Sequence, residues 1–411
     1  MNEIQRLIHE MCPDGVPVGT LGELCTLKAR IGWQGLTKKE YRENGDYLLV
    51  TGTDFTPDYK IDFNHCVYVD KERYDQDPYI QLKDQDVLIT KDGTLGKMAY
   101  IDHLPKPTTL NGGVFVIRDK SGKLNQKYMM YYMTSDAFKY MIDKNHTSGS
   151  IMHLTQKLLV NFQIPLPPLP IQQRIVEILD KFTSLVSSLD SEIALRQKQY
   201  EYYRNKLLSF EEGEEGVEWK KIGDMTRVFS ASRVHKNEWK ESGVPFFRSS
   251  DVMSAYNGVD NNHGKAYISY DLYEKLSAKS GKIHKDDVLV TGGGSIGMPY
   301  IVPTDDPLYV KDADLLCIVK NDNFMSKYLY HIMFTKWFRS YLNKITHDAS
   351  IPHYTISQII VTPIPIVSKD RQLSIVRTLD TFESLLTNLK KERELRQKQY
   401  EYYREKLLTF A

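Results

Sequence analysis

From Ile171 onward, apolar residues recur at Ile175, Ile178, Leu179, Phe182, Leu185, Val186, Leu189 and Ile193, then at Tyr200, Tyr203 and Leu207. Steps of three and four dominate, which is the seam of a long helix that packs along its length. The same spacing returns at Ile375, Leu379, Phe382, Leu385, Leu386, Leu389, Tyr400, Tyr403 and Leu407. Elsewhere the pattern changes. LLVTGTDF, DVLIT and GVFVIR in the first half, and PFFRSSDV, DVLVT and DADLLCIV in the second, set β-formers between turn residues and predict short strands around a helix or two. The expected fold class is therefore α/β (mixed α+β): two globular parts, each handing over to a long arm, with the two arms forming an antiparallel coiled coil.

The two halves are copies of one another. LRQKQYEYYRNKLLSF at 195–210 returns as LRQKQYEYYREKLLTF at 395–410, with differences only at Asn205/Glu405 and Ser209/Thr409. DVLITKDGTLG at 86–96 matches DVLVTGGGSIG at 287–297, and Ser150, Ile151, His153 and Thr155 match Ser350, Ile351, His353 and Thr355. A repeat of this length is one structural unit used twice. Prolines mark each exit into an arm, at Pro165, Pro167, Pro168 and Pro170 and again at Pro363 and Pro365; proline ends a strand and suits the first turn of a helix. The boundaries that follow are an N-terminal helical segment at 1–12, a globular part at 13–165, an arm at 166–212, a second globular part at 213–364 and a second arm at 365–411. IQRLIHEMCPDGV (4–16) stands where NKLLSFEEGEEGV (205–217) stands in the other copy. The N-terminal segment is thus expected to pack near the C-terminal arm and close a pseudo-twofold ring. An arm of some 40 residues would be roughly 60 Å long, against about 34 Å for a turn of duplex DNA.

Composition changes this picture little. The 411 residues are 41% hydrophobic and 26% charged, enough for real cores. No apolar run reaches the roughly 18 residues of a membrane span and no signal-peptide core follows Met1, which points to the cytoplasm. Cys12, Cys25, Cys66 and Cys317 lack zinc or disulfide spacing and read as unpaired, mostly buried thiols. With 54 basic and 53 acidic residues the net charge is +1, which permits a local basic face without arguing for one. The run Glu211-Glu212-Gly213-Glu214-Glu215-Gly216 reads as a joint before the second copy.

Several motifs resemble catalytic ones and fail on detail. Gly93-Thr94-Leu95-Gly96-Lys97 continues with Met98 where a phosphate-binding loop needs Ser or Thr, and the second copy has Met298 in place of the lysine. Asp77-Pro78-Tyr79 lacks the second proline of an amino-methyltransferase motif. Glu218-Trp219-Lys220 and Glu238-Trp239-Lys240 lack the upstream metal-binding Asp of a nuclease. His153 and His353 have no acidic or thiol neighbour at ligand spacing, so a hydrogen bond or phosphate contact suits them better. No catalytic constellation, metal site or cofactor is expected. What does differ between the copies is the set of polar loops, which suits one frame aimed at two targets.

Two variable parts each followed by a near-identical helix, CPDGV starting at Cys12, the segment DVLITKDGTLGK and the exit PLPPLPIQQRIVEIL together resemble the specificity subunit of type I restriction-modification enzymes along the whole chain. The second exit, PIPIVSKDRQLSIV, lacks the usual Pro-Pro-Leu but keeps Gln372 and Ile375. The resemblance implies a non-catalytic reader of double-stranded DNA, whose two target-recognition domains each read part of a gapped, bipartite site. It also implies that the arms act as a ruler and dock two methyltransferase subunits. Those use S-adenosylmethionine to methylate adenine and recruit restriction/translocase subunits. The expected DNA contacts, drawn from polar loops, are Arg30, Gln34, Lys38, Thr53, Lys91, Thr94 and Lys97 in the first domain and Arg227, Ser232, Arg233, Arg248, Ser249 and Ser295 in the second. The expected partner contacts are Arg196, Lys198, Tyr200, Arg204, Arg396, Lys398, Tyr400 and Arg404, because the repeat is near-identical beyond the positions a seam constrains. The reading from another class is a coiled-coil adaptor that binds only protein.

Overall fold

The structure is a computed structural model that describes residues 3–32, 35–92, 95–145, 154–256, 266–346 and 352–410. It divides into two compact units. One comprises Met1–Glu192 with Leu389–Ala411, the other Ile193–Asn388. Each arm is therefore shared: its opening half stays with its own globular part, and its closing half joins the unit of the other copy.

In the first unit a four-stranded antiparallel sheet runs in the order Cys25–Ala29, Val114–Asp119, Val87–Thr90, Met98–Tyr100. The central strands carry apolar residues on both faces, Val114–Ile117 and Val87–Ile89 being buried throughout, because both of their faces are covered. Val87, Ile89, Phe115 and Ile117 face the cluster that includes the arms, while Leu88, Val114 and Val116 face a second core beneath a three-stranded sheet of Val67–Val69, Tyr47–Val50 and Thr108–Leu110. Tyr47–Val50 and Thr108–Leu110 run parallel. The second unit repeats this order with Val228–Ser230, Leu315–Ile318, Val288–Thr291 and Pro299–Ile301, and with Ala266–Ile268, Val244–Phe247 and Tyr309–Val310. Its register matches residue for residue: Val87 pairs with Ile117 and Tyr100, and Val288 with Ile318 and Ile301.

The arms begin identically. Val18–Thr20 pairs with Gln163–Pro165, and Glu218–Lys221 with Pro363–Ile366, so each globular part closes on itself just before its helix. The short helix after the first of these strands approaches the helix before the exit so closely that only glycine fits. A Cβ at Gly22 would sit 2.8 Å from the Val160 Cβ, and one at Gly223 would sit 2.7 Å from the Ile360 Cβ. The first arm helix then runs Leu169–Leu207 and the second Lys369–Leu408. Gln172 and Gln372, both fully buried, tie each start down. Gln172 accepts from the Asn125 amide at 2.8 Å and donates to the carbonyls of Lys123 and Pro167; Gln372 accepts from Met325 at 2.9 Å and donates to Asn323 and Val367.

Within the first unit the opening half of the first arm and the closing half of the second run antiparallel, with Asp190 paired to Arg393 at 2.9 Å and Phe182 stacked on Tyr403. The N-terminal helix Glu3–Met11 lies in this unit too. Ile4 shares its core with Ile171, Leu407 and Leu408, and Glu3 pairs with Arg174 at 3.0 Å. Cys25, Cys66 and Cys317 are buried free thiols, and burial pushes the Cys25 thiol up to about 12. Among the described residues no helix is long and apolar enough to cross a membrane.

Candidate nucleic-acid interface

The strands of each globular part end on a common rim. In the first unit the Asn111 amide donates to the Val50 carbonyl at 2.9 Å, a Cβ at Gly52 would lie 3.6 Å from Thr90, and the Lys91 amide donates to Gly113 at 2.9 Å. Loops leaving Tyr47–Val50, Thr108–Leu110 and Val87–Thr90 therefore lie side by side. Thr53 and Lys97 are exposed on this rim. Thr53 is held by the Thr51 hydroxyl at 2.7 Å, and the Lys97 amide donates to the Thr90 hydroxyl at 2.9 Å. Lys91 is half-buried with its ammonium over the Phe115 ring at 5.2 Å. Lys38 is exposed on a single helical turn. That turn is anchored by Glu40, which accepts from the Thr37 amide and pairs with Arg73; the two together hold its carboxyl near 2, well below the usual range.

Arg30 is a correction. It is 2% exposed and donates to the Leu110 carbonyl at 2.8 Å, to Gln76 at 2.8 Å, to the Arg73 carbonyl at 3.2 Å and to Thr109 at 3.3 Å. A guanidinium occupied this way ties the four-stranded sheet to the three-stranded one and does not face a duplex. Gln34 and Thr94 lie outside the described residues, as does His153.

In the second unit the corresponding rim is bound by Gly292 donating to Asp314 at 2.8 Å, Lys311 to Phe247 at 2.8 Å and Tyr354 to Gly292 at 2.8 Å. Ser295 is exposed on the turn between Val288–Thr291 and Pro299–Ile301. Ser232 is fixed by Tyr309, whose hydroxyl accepts from its amide at 2.9 Å and donates to its carbonyl at 3.0 Å. Arg233 is 71% exposed and reaches Asp312 at 3.0 Å. Arg248 folds back on Asp251 at 3.0 Å and lies 5.9 Å from the Trp239 ring, with Ser249 beginning the next helix. Arg227 stands apart, at the opposite end of its strand, with its guanidinium over Phe229 and donating to the Ser280 carbonyl at 2.7 Å. Tyr41, which accepts from Asn111 at 2.5 Å, belongs to the first rim and escaped the sequence reading because nothing in the pattern places Asn111 beside it.

A family model for the type I restriction modification DNA specificity domain matches residues 13–195 and again 214–397. The chain belongs to that family. It is similar to a Haemophilus influenzae protein named as a type I restriction enzyme specificity subunit, 32% identical over 342 residues, covering 79% of this chain and 83% of that one. It is also similar to the EcoR124I/EcoR124II specificity subunit of Escherichia coli, 30% identical over 301 residues, covering 69% of this chain and 70% of that one. Among solved structures, the S subunit of a type I restriction-modification system from M. genitalium shares the fold with a TM-score of 0.59 at 15% identity over 96% of both chains. A type I specificity subunit recognises DNA through two target-recognition domains and leaves the chemistry to other subunits, so the two rims are where recognition by this chain is to be sought.

The arms divide into inward and outward faces, which corrects part of the expected partner surface. Tyr200 and Tyr400 are buried. Tyr200 donates to Glu383 at 2.8 Å beside His331, and Tyr400 donates to Tyr59 at 3.1 Å. Arg404 is 5% exposed, bound to Glu405 at 2.8 Å and 3.9 Å from Asp136, while Arg204 lies over the Tyr200 and Phe334 rings. These residues grip the chain's own globular parts, because a closing half-arm must bury an apolar stripe somewhere. Arg196 and Arg396 are half-buried and donate to Gln199 and Gln399. Lys198 and Lys398 are exposed. Beside them are exposed side chains that periodicity alone assigned to no face: Leu195 and Tyr202 on the first arm and Leu395 and Tyr402 on the second, with Lys206 and Lys406 against the tyrosine rings.

His331, Asp380 and Glu383 come within metal-ligand distance of one another. Lys327, 3.3 Å from Asp380 and 2.6 Å from Glu383, already supplies the positive charge there.

Proposed function

We propose that each rim reads one half of a gapped, bipartite duplex site, with Lys38, Thr53, Lys91 and Lys97 among the contacts of the first domain and Ser232, Arg233, Arg248, Ser249 and Ser295 among those of the second. The observation that carries this reading is that the same three strand ends build both rims, with matching register between Tyr47–Val50 and Thr108–Leu110 and between Val244–Phe247 and Tyr309–Val310, while the side chains they display differ. A common frame with different donors and acceptors is what two different base sequences require. Arg233, Arg248 and Lys311 lie against carboxylates, so approach of a phosphate or base edge exchanges one charge-assisted bond for another.

The outward faces of the arms, at Leu195, Lys198 and Tyr202 and at Leu395, Lys398 and Tyr402, serve as two equivalent docking sites for two methyltransferase subunits in the cytoplasm. Restriction subunits join through that complex. The near-identity of the faces supports two copies of one partner. The test is a map of adenine methylation in DNA from cells carrying the methyltransferase with and without this chain. A gapped two-part motif that vanishes with the chain is expected. An active methyltransferase with no such motif in either case would leave a protein-only adaptor.

A further inference from the structure

Within the second unit two arginines share one aromatic ring, Phe334, with no carboxylate of the described residues paired to either. Arg204, from the closing half of the first arm, lies 5.0 Å from the Tyr200 ring centre and 5.5 Å from that of Phe334. Arg339, from helix Lys336–Thr346, lies 5.3 Å from the same Phe334 ring, and Tyr256 stacks on that ring at 5.6 Å. Among the described residues neither guanidinium has an ion-pair partner, and the Arg204 Nε is buried with no hydrogen bond. Burial pulls the Arg339 guanidinium below its ordinary value, and Arg204 adds repulsion. The matching place in the first unit is neutralised. Arg404 binds Glu405 at 2.8 Å and approaches Asp136 at 3.9 Å, while Lys139, which stands where Arg339 does, pairs with Asp136 at 3.2 Å. The contrast traces to one of the two differences in the repeat, Asn205 against Glu405.

Beside Arg339 is a cleft of about 330 Å³ lined by Gly294, Ile296, Leu342, Asn343 and Thr346. Arg339 forms part of its wall and donates to the Ile296 carbonyl at 2.9 Å. Gly297 permits the approach: it has φ +71, and a Cβ there would lie 2.3 Å from Leu342 and 3.3 Å from the Arg339 Nη1. The cleft therefore opens on the turn that carries Ser295.

We propose that this cleft binds a phosphate oxyanion of the duplex, with Arg339 as the contact and Arg204 raising the local potential. It rests on the DNA-reading role above. Two partly desolvated cations with no ion-pair partner among the described residues oppose folding, and a phosphate supplies a counter-charge in a geometry a guanidinium matches with two parallel bonds. The first unit, lacking the unpaired charge, binds the backbone without this contact.

The test is binding of mixed-sequence duplex DNA by the full-length chain across a salt series. Arg339→Gln is expected to flatten the dependence of log affinity on log salt by about 0.9, the value for one phosphate. Asn205→Glu, which installs the carboxylate that the other copy carries natively, should weaken binding in the same direction while keeping the cap on the Lys336 amide that Asn205 now provides at 2.7 Å. It guards against a misfolded Arg339 variant. Unchanged slopes in both variants would overturn the proposal. So would a rise in melting temperature with inorganic phosphate that Arg339→Gln abolishes while the duplex slope stays as in the wild type, since the site would then serve a small anion. A wild-type chain that retains no duplex at any salt would sink the DNA-reading role itself, and the contact with it.

Discussion

Phe182 stacks on Tyr403 with ring centres 5.3 Å apart and planes 17° from parallel. The chain makes the same pair a second time with Phe382 and Tyr203, at 5.4 Å and 20°. In each pair one ring comes from the opening half of an arm and the other from the closing half of the other arm, so each unit is completed by a segment from the far copy. This accounts for the near-identity of 195–210 and 395–410 without invoking a partner for every residue: both segments meet the same kind of surface.

The pairs should therefore be energetically equivalent. Phe182→Ala and Phe382→Ala are each expected to destabilise the chain by about 2 kcal/mol, from lost apolar burial plus the ring contact. Urea unfolding of the two variants checks this. An effect confined to one of them would show that the duplicated geometry is not duplicated in energy.

Gln172 and Gln372 each satisfy one partly buried amide and two carbonyls, one of them buried, where a globular part meets its arm. Replacing either with Ala leaves those groups unsatisfied, which costs about 1–3 kcal/mol for a single group and more for several. Gln372→Leu should be no milder than Gln372→Ala despite its better filling of space. Melting temperatures that rank Leu as fully tolerated would mean the hydrogen bonds matter less than the packing.

His331 is fully buried between Tyr200, Asp380, Glu383, Lys327 and Tyr330, and burial lowers its pKa despite the two carboxylates. A histidine whose folded pKa is depressed binds fewer protons folded than unfolded, so stability is full above the unfolded value of about 6.5 and falls as pH drops through that value toward the folded one. Tyr131 occupies the equivalent place in the first unit and donates to Asp180 at 2.7 Å without titrating in this range. His331→Tyr is therefore expected to remove part of the stability loss between pH 7 and pH 5.5, read from thermal melts at each pH. Identical pH slopes for the two proteins would assign the acid sensitivity to other groups.

Arg233 is largely exposed and held by a single carboxylate, so its replacement should leave the fold intact. If it reads a base, Arg233→Ala should cost about 1–3 kcal/mol at one half-site only. The methylation motif recovered with this variant should relax in that half and keep the other. An unchanged motif would remove Arg233 from the reading face.

Lys198→Glu and Lys398→Glu reverse charge on the outward faces without touching the buried tyrosines. Each alone should cut the methyltransferase stoichiometry, measured by mass of the purified complex, and the double variant should abolish it. Full occupancy in the double variant would place the docking surface elsewhere.

Local sequence determined the long helices, the strand-rich globular parts and the duplication, because each is written in neighbouring residues: steps of three and four in the arms, runs buried on two faces such as Val87 to Thr90, and the near-identical segments 195–210 and 395–410. Which face of an arm is buried against which copy was decided only by tertiary structure. Tyr200 and Lys198 are two residues apart in one helix, yet one is buried beside His331 and the other is exposed. Arg30 shows the same limit. An arginine in a polar loop reads as a surface contact until Leu110, Thr109, Gln76 and Arg73, all distant in sequence, close around it. The cleft at Arg339 depends on separate segments meeting, and the charge beside it on an asparagine in place of a glutamate whose consequence is visible only where Arg204 lies over Phe334.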